Sequence, residues 1–332
     1  MSTDPHPKDA REARLAASRS RLTPEQQALL EQRLRARSGA AAAPTAPSSL
    51  VAIQPAGRRP PFFCIHPAGG DVLCFQPMSR HMGTDQPFYG LQSRGLNPGE
   101  EPLATIEEMA AAYRAEICRV TPGPYYLGGW SLGGAVAYEV ARQLAAEGKE
   151  VAFLAVIDTT PGLPAGETDE ADDADNDDDA RWLLDIADYL ERLWGLKLGL
   201  SAEALRGLSA DEQAQRFLTA LQGTPFAPAG AGTEPLSRLL RVFKTNVGAF
   251  RRYHPAPYSG PITLFRPEIL LEPEAAPADP TLGWGALSPR PVDVERVPGD
   301  HISSLAEPRV RTLAERLLDR IDRIDREVPR TP

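Results

Sequence analysis

At 332 residues the chain is longer than one small core requires, and fits one large domain with an insertion, or two domains. Hydrophobic residues make up 42% and charged residues 24%, as in ordinary globular proteins, and a net charge of −9 gives no electrostatic reason to bind nucleic acid or an anionic membrane. No apolar stretch approaches the roughly 20 residues that span a bilayer, and no apolar segment follows the N-terminal charges as in a secretory signal, so a cytoplasmic location is expected. The three cysteines, Cys64, Cys74 and Cys118, lack C-x-x-C spacing. They read as reduced thiols packed as small apolar residues, not as a disulfide framework or a zinc site.

In chain order, residues 1–21 read as a mobile polar tail. A short helix follows, with Thr23 as N-cap, Pro24 in its first turn and Gln26 completing a capping box. SGAAAAPTAPSS (38–49) reads as a linker, so residues 1–49 are set apart from a main domain over 50–325, and 326–332 form a tail. From residue 50, short β-rich runs alternate with helical patterns. Strands are predicted near 51–55, 62–67, 88–93, 125–130, 151–158, 261–268 and 291–299. Several runs are apolar on successive residues, as in parallel strands covered on both faces. Helices are predicted from Thr105 with Glu108 as its capping partner, over 133–148 with Gly148 as terminator, and from about Leu305 to Arg326. This alternation predicts an open, mostly parallel α/β sheet with helices on both faces.

Residues 161–257 break the rhythm. The acidic run ETDEADDADNDDD (167–179) reads as a solvated loop, and its spacing is not that of a calcium loop. Two or three helices are expected after it. Leu183, Ile186, Ala187, Leu190, Leu193 and Trp194 fall at helical spacing on one face. That stripe suits packing onto the sheet, the lining of a substrate channel in a lid, or both.

The chemical signal is Gly129-Trp130-Ser131-Leu132-Gly133, a G-x-S-x-G match for which composition alone gives a chance expectation of about 0.1. A strand runs into it and a helix runs out, the setting in which such a serine sits on a strained turn above the carboxyl end of a sheet. This identifies an α/β-hydrolase fold with Ser131 as nucleophile. A hydroxyl needs a base, and the chain order in this fold is serine, acid, histidine. Of five histidines, His254 and His301 lie late enough. His301, in VPGDHISSL between a strand and the last helix, is preferred; His254 reads as a surface or capping residue. Asp158 ends the strand after the nucleophile's helix and is the expected acid, with Asp300 as its competitor. The loop His66-Pro67-Ala68-Gly69-Gly70 follows an early strand, which makes the Ala68 N–H one oxyanion donor and the Leu132 N–H the other.

Over about residues 50–320 the sequence resembles the thioesterase domains of nonribosomal peptide and polyketide synthases. The resemblance rests on FFCIHPAGG, PFYGLQSRGL, PYYLGGWSLGGAVAYEVARQL, LAVIDTTP, NVGAFRRYHPAPYSGPITLFRPE, GWGAL and VPGDHISSL, in that order. It implies Ser131, Asp158 and His301 as triad, the Ala68 and Leu132 amides as oxyanion hole, and a helical lid over 161–257. It also implies no metal and no cofactor of the protein's own. The substrate would be an acyl or peptidyl thioester on the phosphopantetheine arm of a carrier protein or upstream synthase module, released by hydrolysis or macrocyclisation. The helix LTPEQQALLEQRLR resembles linker helices between assembly-line modules and suggests a docking or relic role.

The alternatives are an editing thioesterase, an acyltransferase, a general carboxylesterase and a catalytically silent carrier-binding module. Editing enzymes commonly read G-H-S-M-G at the elbow, whereas this chain reads GWSLG, which favours release.

Overall fold

The computed structural model describes residues 48–162, 179–222, 224, 232–269 and 279–327. The chain divides into two units, Met1–Pro47 and Ser48–Pro332, and the description below concerns the second. The helix expected after Thr23 and the acidic run up to residue 178 lie outside the described residues.

Seven strands form one sheet: β1 (Leu50–Gln54), β2 (Phe62–Ile65), β3 (Phe88–Leu91), β4 (Tyr125–Trp130), β5 (Val151–Ile157), β6 (Thr263–Pro267) and β7 (Asp293–Val297). Their spatial order is β1-β3-β2-β4-β5-β6-β7. β1 pairs with β3 antiparallel; every other pairing is parallel. All seven predicted strands are present: β4 has the predicted ends, β1 is shifted one residue earlier, and the other five are shorter.

Alternation along the central strands assigns each side chain to a face. Tyr125, Leu127, Leu154 and Val156 join the core beneath α2 (Ile106–Val120) and α3 (Leu132–Ala146). Tyr126, Trp130, Phe153, Ala155 and Ile157 join the opposite core, beneath α1 (Gln76–Met82) and α8 (Val310–Glu327). With both faces covered, β4 and β5 are apolar on consecutive positions, which is why they read so clearly.

The predicted helix starts are largely met. Thr105 caps α2 by accepting from the Glu108 amide at 3.2 Å. α3 stops where Gly148 turns left-handed at φ 73°. α1 went unassigned in the sequence because it is seven residues long and has a proline in its first turn. The last helix was placed too early. Residues Ser303–Leu305 form a separate 3₁₀ turn and α8 begins at Val310, because Pro308 has no amide hydrogen to extend a helix through it.

Four helices lie between β5 and β6 among the described residues, more than the two or three expected: α4 (Ala180–Trp194), α5 (Ala202–Leu205), α6 (Ala210–Leu221) and α7 (Glu234–Arg251). Most of the α4 stripe turns away from the sheet. Leu183, Ile186, Ala187 and Leu190 pack with Leu205, Phe217, Leu221, Leu236 and Leu240 into a core of the insertion's own. Leu193 of the same stripe, with Tyr189 beside it, reaches the sheet core.

Two features lock the sheet to its surroundings. Glu139 on α3, 1% exposed, accepts from Arg142 Nε at 2.8 Å and Nη2 at 2.6 Å, from Gln143 at 3.0 Å and from the Tyr253 hydroxyl just past α7 at 3.0 Å. Burial opposes its charge, but hydrogen bonds from Arg142, Gln143 and Tyr253 outweigh it and hold the carboxyl below its ordinary 4.5. The second is the β4–α3 turn. A Cβ on Gly133 would lie 2.2 Å from the Ile65 carbonyl oxygen and 2.6 Å from that of His66; one on Gly129 would lie 2.0 Å from the Gly133 oxygen. Backbone occupies the space in both cases, and backbone cannot swing aside.

Glu139→Ala should therefore destabilise the domain by about 1–3 kcal/mol at neutral pH, because the buried Tyr253 hydroxyl loses its acceptor. A carboxyl with a lowered folded value contributes fully above its ordinary value and loses that contribution as pH falls through the folded one. The gap between wild type and variant in urea unfolding should shrink below pH 4.5 accordingly. Gly133→Ala should lower the melting midpoint by more than Gly148→Ala. The first forces a backbone clash worth about 1–3 kcal/mol or more. The second meets no atom within 4 Å and bears only the left-handed strain of roughly 1–2 kcal/mol.

Candidate active site

Ser131 stands between β4 and α3 with φ 55° and ψ −134°, a conformation L-residues rarely adopt. Its own amide donates to Ile157 O at 3.0 Å and its carbonyl accepts from Gly134 N at 2.8 Å, so neighbouring strand and helix hold the strained turn. Leu132 is the first residue of α3, where amides have no partner within the helix and the helix dipole is positive. Among the described residues, neither the Leu132 nor the Ala68 amide has a hydrogen-bond acceptor. The close approach of Gly133 to Ile65 and His66 places the loop 66–70 beside this turn.

Asp158 directly follows β5 and also has positive φ, 44°. Its amide donates to Phe265 O at 2.9 Å. His301 Nδ1 lies 2.7 Å from Asp158 Oδ2, across 143 residues of sequence. A carboxylate only accepts, so Nδ1 carries the hydrogen and a neutral ring keeps the Nε2 lone pair as a base. Asp300 is occupied elsewhere. Its Oδ1 accepts from Arg192 at 2.5 Å and from the Ile302 and Ser303 amides at 3.1 Å each, which fixes the turn carrying His301. Burial works against its charge, but bonds from Ser303 and nearby Arg192 outweigh that and hold its carboxyl below the ordinary range. His254 is exposed in the loop after α7. The structure thus joins Asp158 and His301 directly and puts Ser131 at the end of the adjoining strand. No hydrogen bond joins Ser131 Oγ to His301 among the described residues; such bonds often tighten only in the substrate complex.

Several supporting side chains had no role in the sequence reading. The indole N–H of Trp130, the residue before the serine, donates to His301 O at 3.1 Å, and the two rings lie 5.2 Å apart. Tyr189 of α4 stacks on Trp130, with ring centroids 6.0 Å apart. Trp284, fully buried, donates to Thr159 O at 2.7 Å and so pins the loop after Asp158. Asn246 of α7 donates to Ala68 O at 2.9 Å. Trp284 and Asn246 stand in the blocks GWGAL and NVGAF, which marked them as notable without saying what they touch. Among the described residues, no group of three His, Cys, Asp or Glu is placed to hold a metal ion, and no helix is long and apolar enough to cross a membrane.

A sequence model of the thioesterase domain matches residues 60–323. The chain is 34% identical over 226 residues to a dimodular nonribosomal peptide synthase of Bacillus subtilis, covering 67% of this chain and 9% of that protein. It is 30% identical over 285 residues to a chondramide synthase of Chondromyces crocatus, covering 83% and 7%. The chain therefore spans less than a tenth of the length of either relative. Among solved structures, it superposes on a four-domain nonribosomal peptide synthetase, holo-AB3403 bound to AMP and glycine, with TM-score 0.73 and 30% identity over 91% of this chain and 21% of that one. The Vlm2 thioesterase domain matches with TM-score 0.59 and 27% identity over 82% and 96%. A seven-stranded, mostly parallel sheet with a helical insertion, a serine at the β4–α3 turn and this family match lead to one statement: the chain belongs to the thioesterase domain family, with an α/β-hydrolase fold.

Proposed function

We propose that this domain releases an acyl or peptidyl chain from the phosphopantetheine arm of a carrier protein through an acyl-enzyme on Ser131. The observation that carries this reading is the 2.7 Å bond between Asp158 and His301, whose histidine is bonded in turn by Trp130, the residue beside the serine. Ser131 Oγ attacks the thioester carbonyl while its proton passes to His301 Nε2. The carbonyl oxygen becomes an oxyanion facing the Ala68 and Leu132 amides. Collapse breaks the C–S bond, the thiol leaves with the proton from His301, and the acyl group remains on oxygen. Water then yields an acid, or an internal amine or hydroxyl yields a ring, with His301 again taking the attacker's proton. Asp158 holds the ring in the required tautomer and stabilises the imidazolium.

The partner in this reading is a carrier domain. It is supported by the relatives, which are nonribosomal peptide synthases and synthetases. Release is favoured over editing because the elbow reads GWSLG, with Trp130 where editing enzymes commonly carry histidine.

Intact-protein mass spectrometry after mixing with an acyl-pantetheine thioester, with thiol release followed alongside, tests the assignment. An acyl adduct should appear on wild type and be lost, with thiol release, in Ser131→Ala; release that survives in the variant overturns it. Asp158→Asn should lower kcat by ~10³–10⁴, since the wrong tautomer would face the serine. Asp300→Asn should stay within about tenfold of wild type, because Asp300 shapes the turn without touching the ring. The reverse ranking would transfer the acid's role to Asp300.

A further inference from the structure

His66 is fully buried directly after β2, and the triad makes no use of it. Its Nδ1 lies 2.8 Å from Pro67 O and its Nε2 lies 2.7 Å from the Tyr113 hydroxyl on α2. A carbonyl oxygen only accepts, so Nδ1 carries a hydrogen. Burial without a compensating charge pushes the imidazole down to about 4, so the ring is neutral at pH 7 and has that one hydrogen alone. Nε2 is then a lone pair, and Tyr113 must be its donor. The phenol stays protonated, since burial raises it far above neutrality. The direction of every bond in the chain Tyr113 → His66 → Pro67 is thereby determined.

Pro67 O belongs to the peptide unit that carries the Ala68 N–H. That unit is planar and trans, so its N–H points opposite to its C=O. Two donors converge on the oxygen: His66 Nδ1, and the Gly70 amide at 2.9 Å. Gly70 can close this turn because its φ is 82° and a Cβ there would lie 2.7 Å from Val242 Cγ1 and 2.9 Å from Ser93 Cβ. The next peptide is held as well, since Ala68 O accepts from Asn246 at 2.9 Å. Both peptide planes flanking the Ala68 Cα are thus held by side chains, one by His66 after β2 with Tyr113 of α2 behind it and the other by Asn246 of α7.

We propose that His66, kept in one tautomer by Tyr113, is a positioning residue for the oxyanion hole: by holding Pro67 O it aims the Ala68 N–H at the developing oxyanion. This rests on the reading of Ser131 as nucleophile and Ala68 as donor. A free Ala68 amide pays for its preorganisation once, in the folding of the loop, and none is needed during the reaction.

The test compares His66→Leu, His66→Asn and Tyr113→Phe with wild type, using an acyl-pantetheine thioester and an alkyl boronic acid that forms a tetrahedral adduct on Ser131. Leucine removes the donor, and kcat should fall about 10²-fold, with KM within about threefold. Asparagine places an amide N–H near the position of Nδ1 and should restore most of that loss. Tyr113→Phe frees the ring to exchange tautomers and should lower kcat about tenfold without unfolding the chain, as judged by its melting curve. Boronate affinity should fall in parallel with kcat/KM across the three. Equal losses in the leucine and asparagine variants, a rise in KM with kcat unchanged, or boronate affinity that does not follow kcat/KM would overturn the proposal while leaving the Ser131 adduct intact. Failure of wild type to form any adduct on Ser131 would overturn the reading beneath it.

Discussion

The site depends on one constraint, the close approach of the first turn of α3 to the ends of β2 and β4. The backbone of Gly133 lies where a Cβ would collide with Ile65 O and His66 O, and Gly129 lies against Gly133 itself. Such contact brings three chain segments within one peptide's width of each other. It leaves Ser131 with φ 55°, its amide bonded back to β5. The strain at this residue is sustained because strand, helix and loop each hold it from a different side.

From that contact the rest of the site follows outward. Every chemically important loop leaves the carboxyl end of a parallel strand: 66–70 after β2, Ser131 after β4, Asp158 after β5 and His301 after β7. Parallel pairing brings these ends to one edge of the sheet, which is where open α/β sheets place their sites. Buried polar groups then fix each loop. Trp130 holds the histidine's carbonyl, Trp284 holds the carbonyl after Asp158, and Asn246 and His66 hold the carbonyls around Ala68. All four are carbonyl acceptors bound by a neutral N–H donor. Neutral donors position backbone without adding charges that would compete with the Asp158–His301 pair.

The insertion contributes more than cover. Its helices share a core of their own, yet α4 reaches the sheet through Tyr189 and the histidine turn through Arg192, while α7 reaches the loop at Ala68 through Asn246. Its seating is therefore coupled to the histidine on one side and to the candidate oxyanion donor on the other. Arg192–Asp300 is a partly exposed pair, so its contribution is orientation of a turn more than stability.

Much of this was legible in the sequence, and unevenly so. The central strands β2, β4 and β5 were, because strands buried on both faces are apolar at consecutive positions and turn residues bound them. The elbow was, because sterics admit only glycine at Gly129 and Gly133, and the chain order serine, acid, histidine narrows five histidines to two. The bond between Asp158 and His301 was anticipated from chain order, but Asp300 stood as a rival because adjacency in sequence says nothing of direction. Only the fold decided between them, by turning Asp300 toward Arg192 and the backbone of its own loop. The short helix α1 was missed since two turns of helix have little periodicity to read, and the last helix was begun before Pro308, which has no amide hydrogen to extend a helix through it. The α4 stripe announced burial without naming its partner, since any apolar surface satisfies it. The roles of Trp130, Trp284, Asn246 and Tyr113 were invisible for the same kind of reason. A hydrogen bond between residues far apart in sequence requires a distance and an angle, and those exist only once the sheet has set where each strand ends.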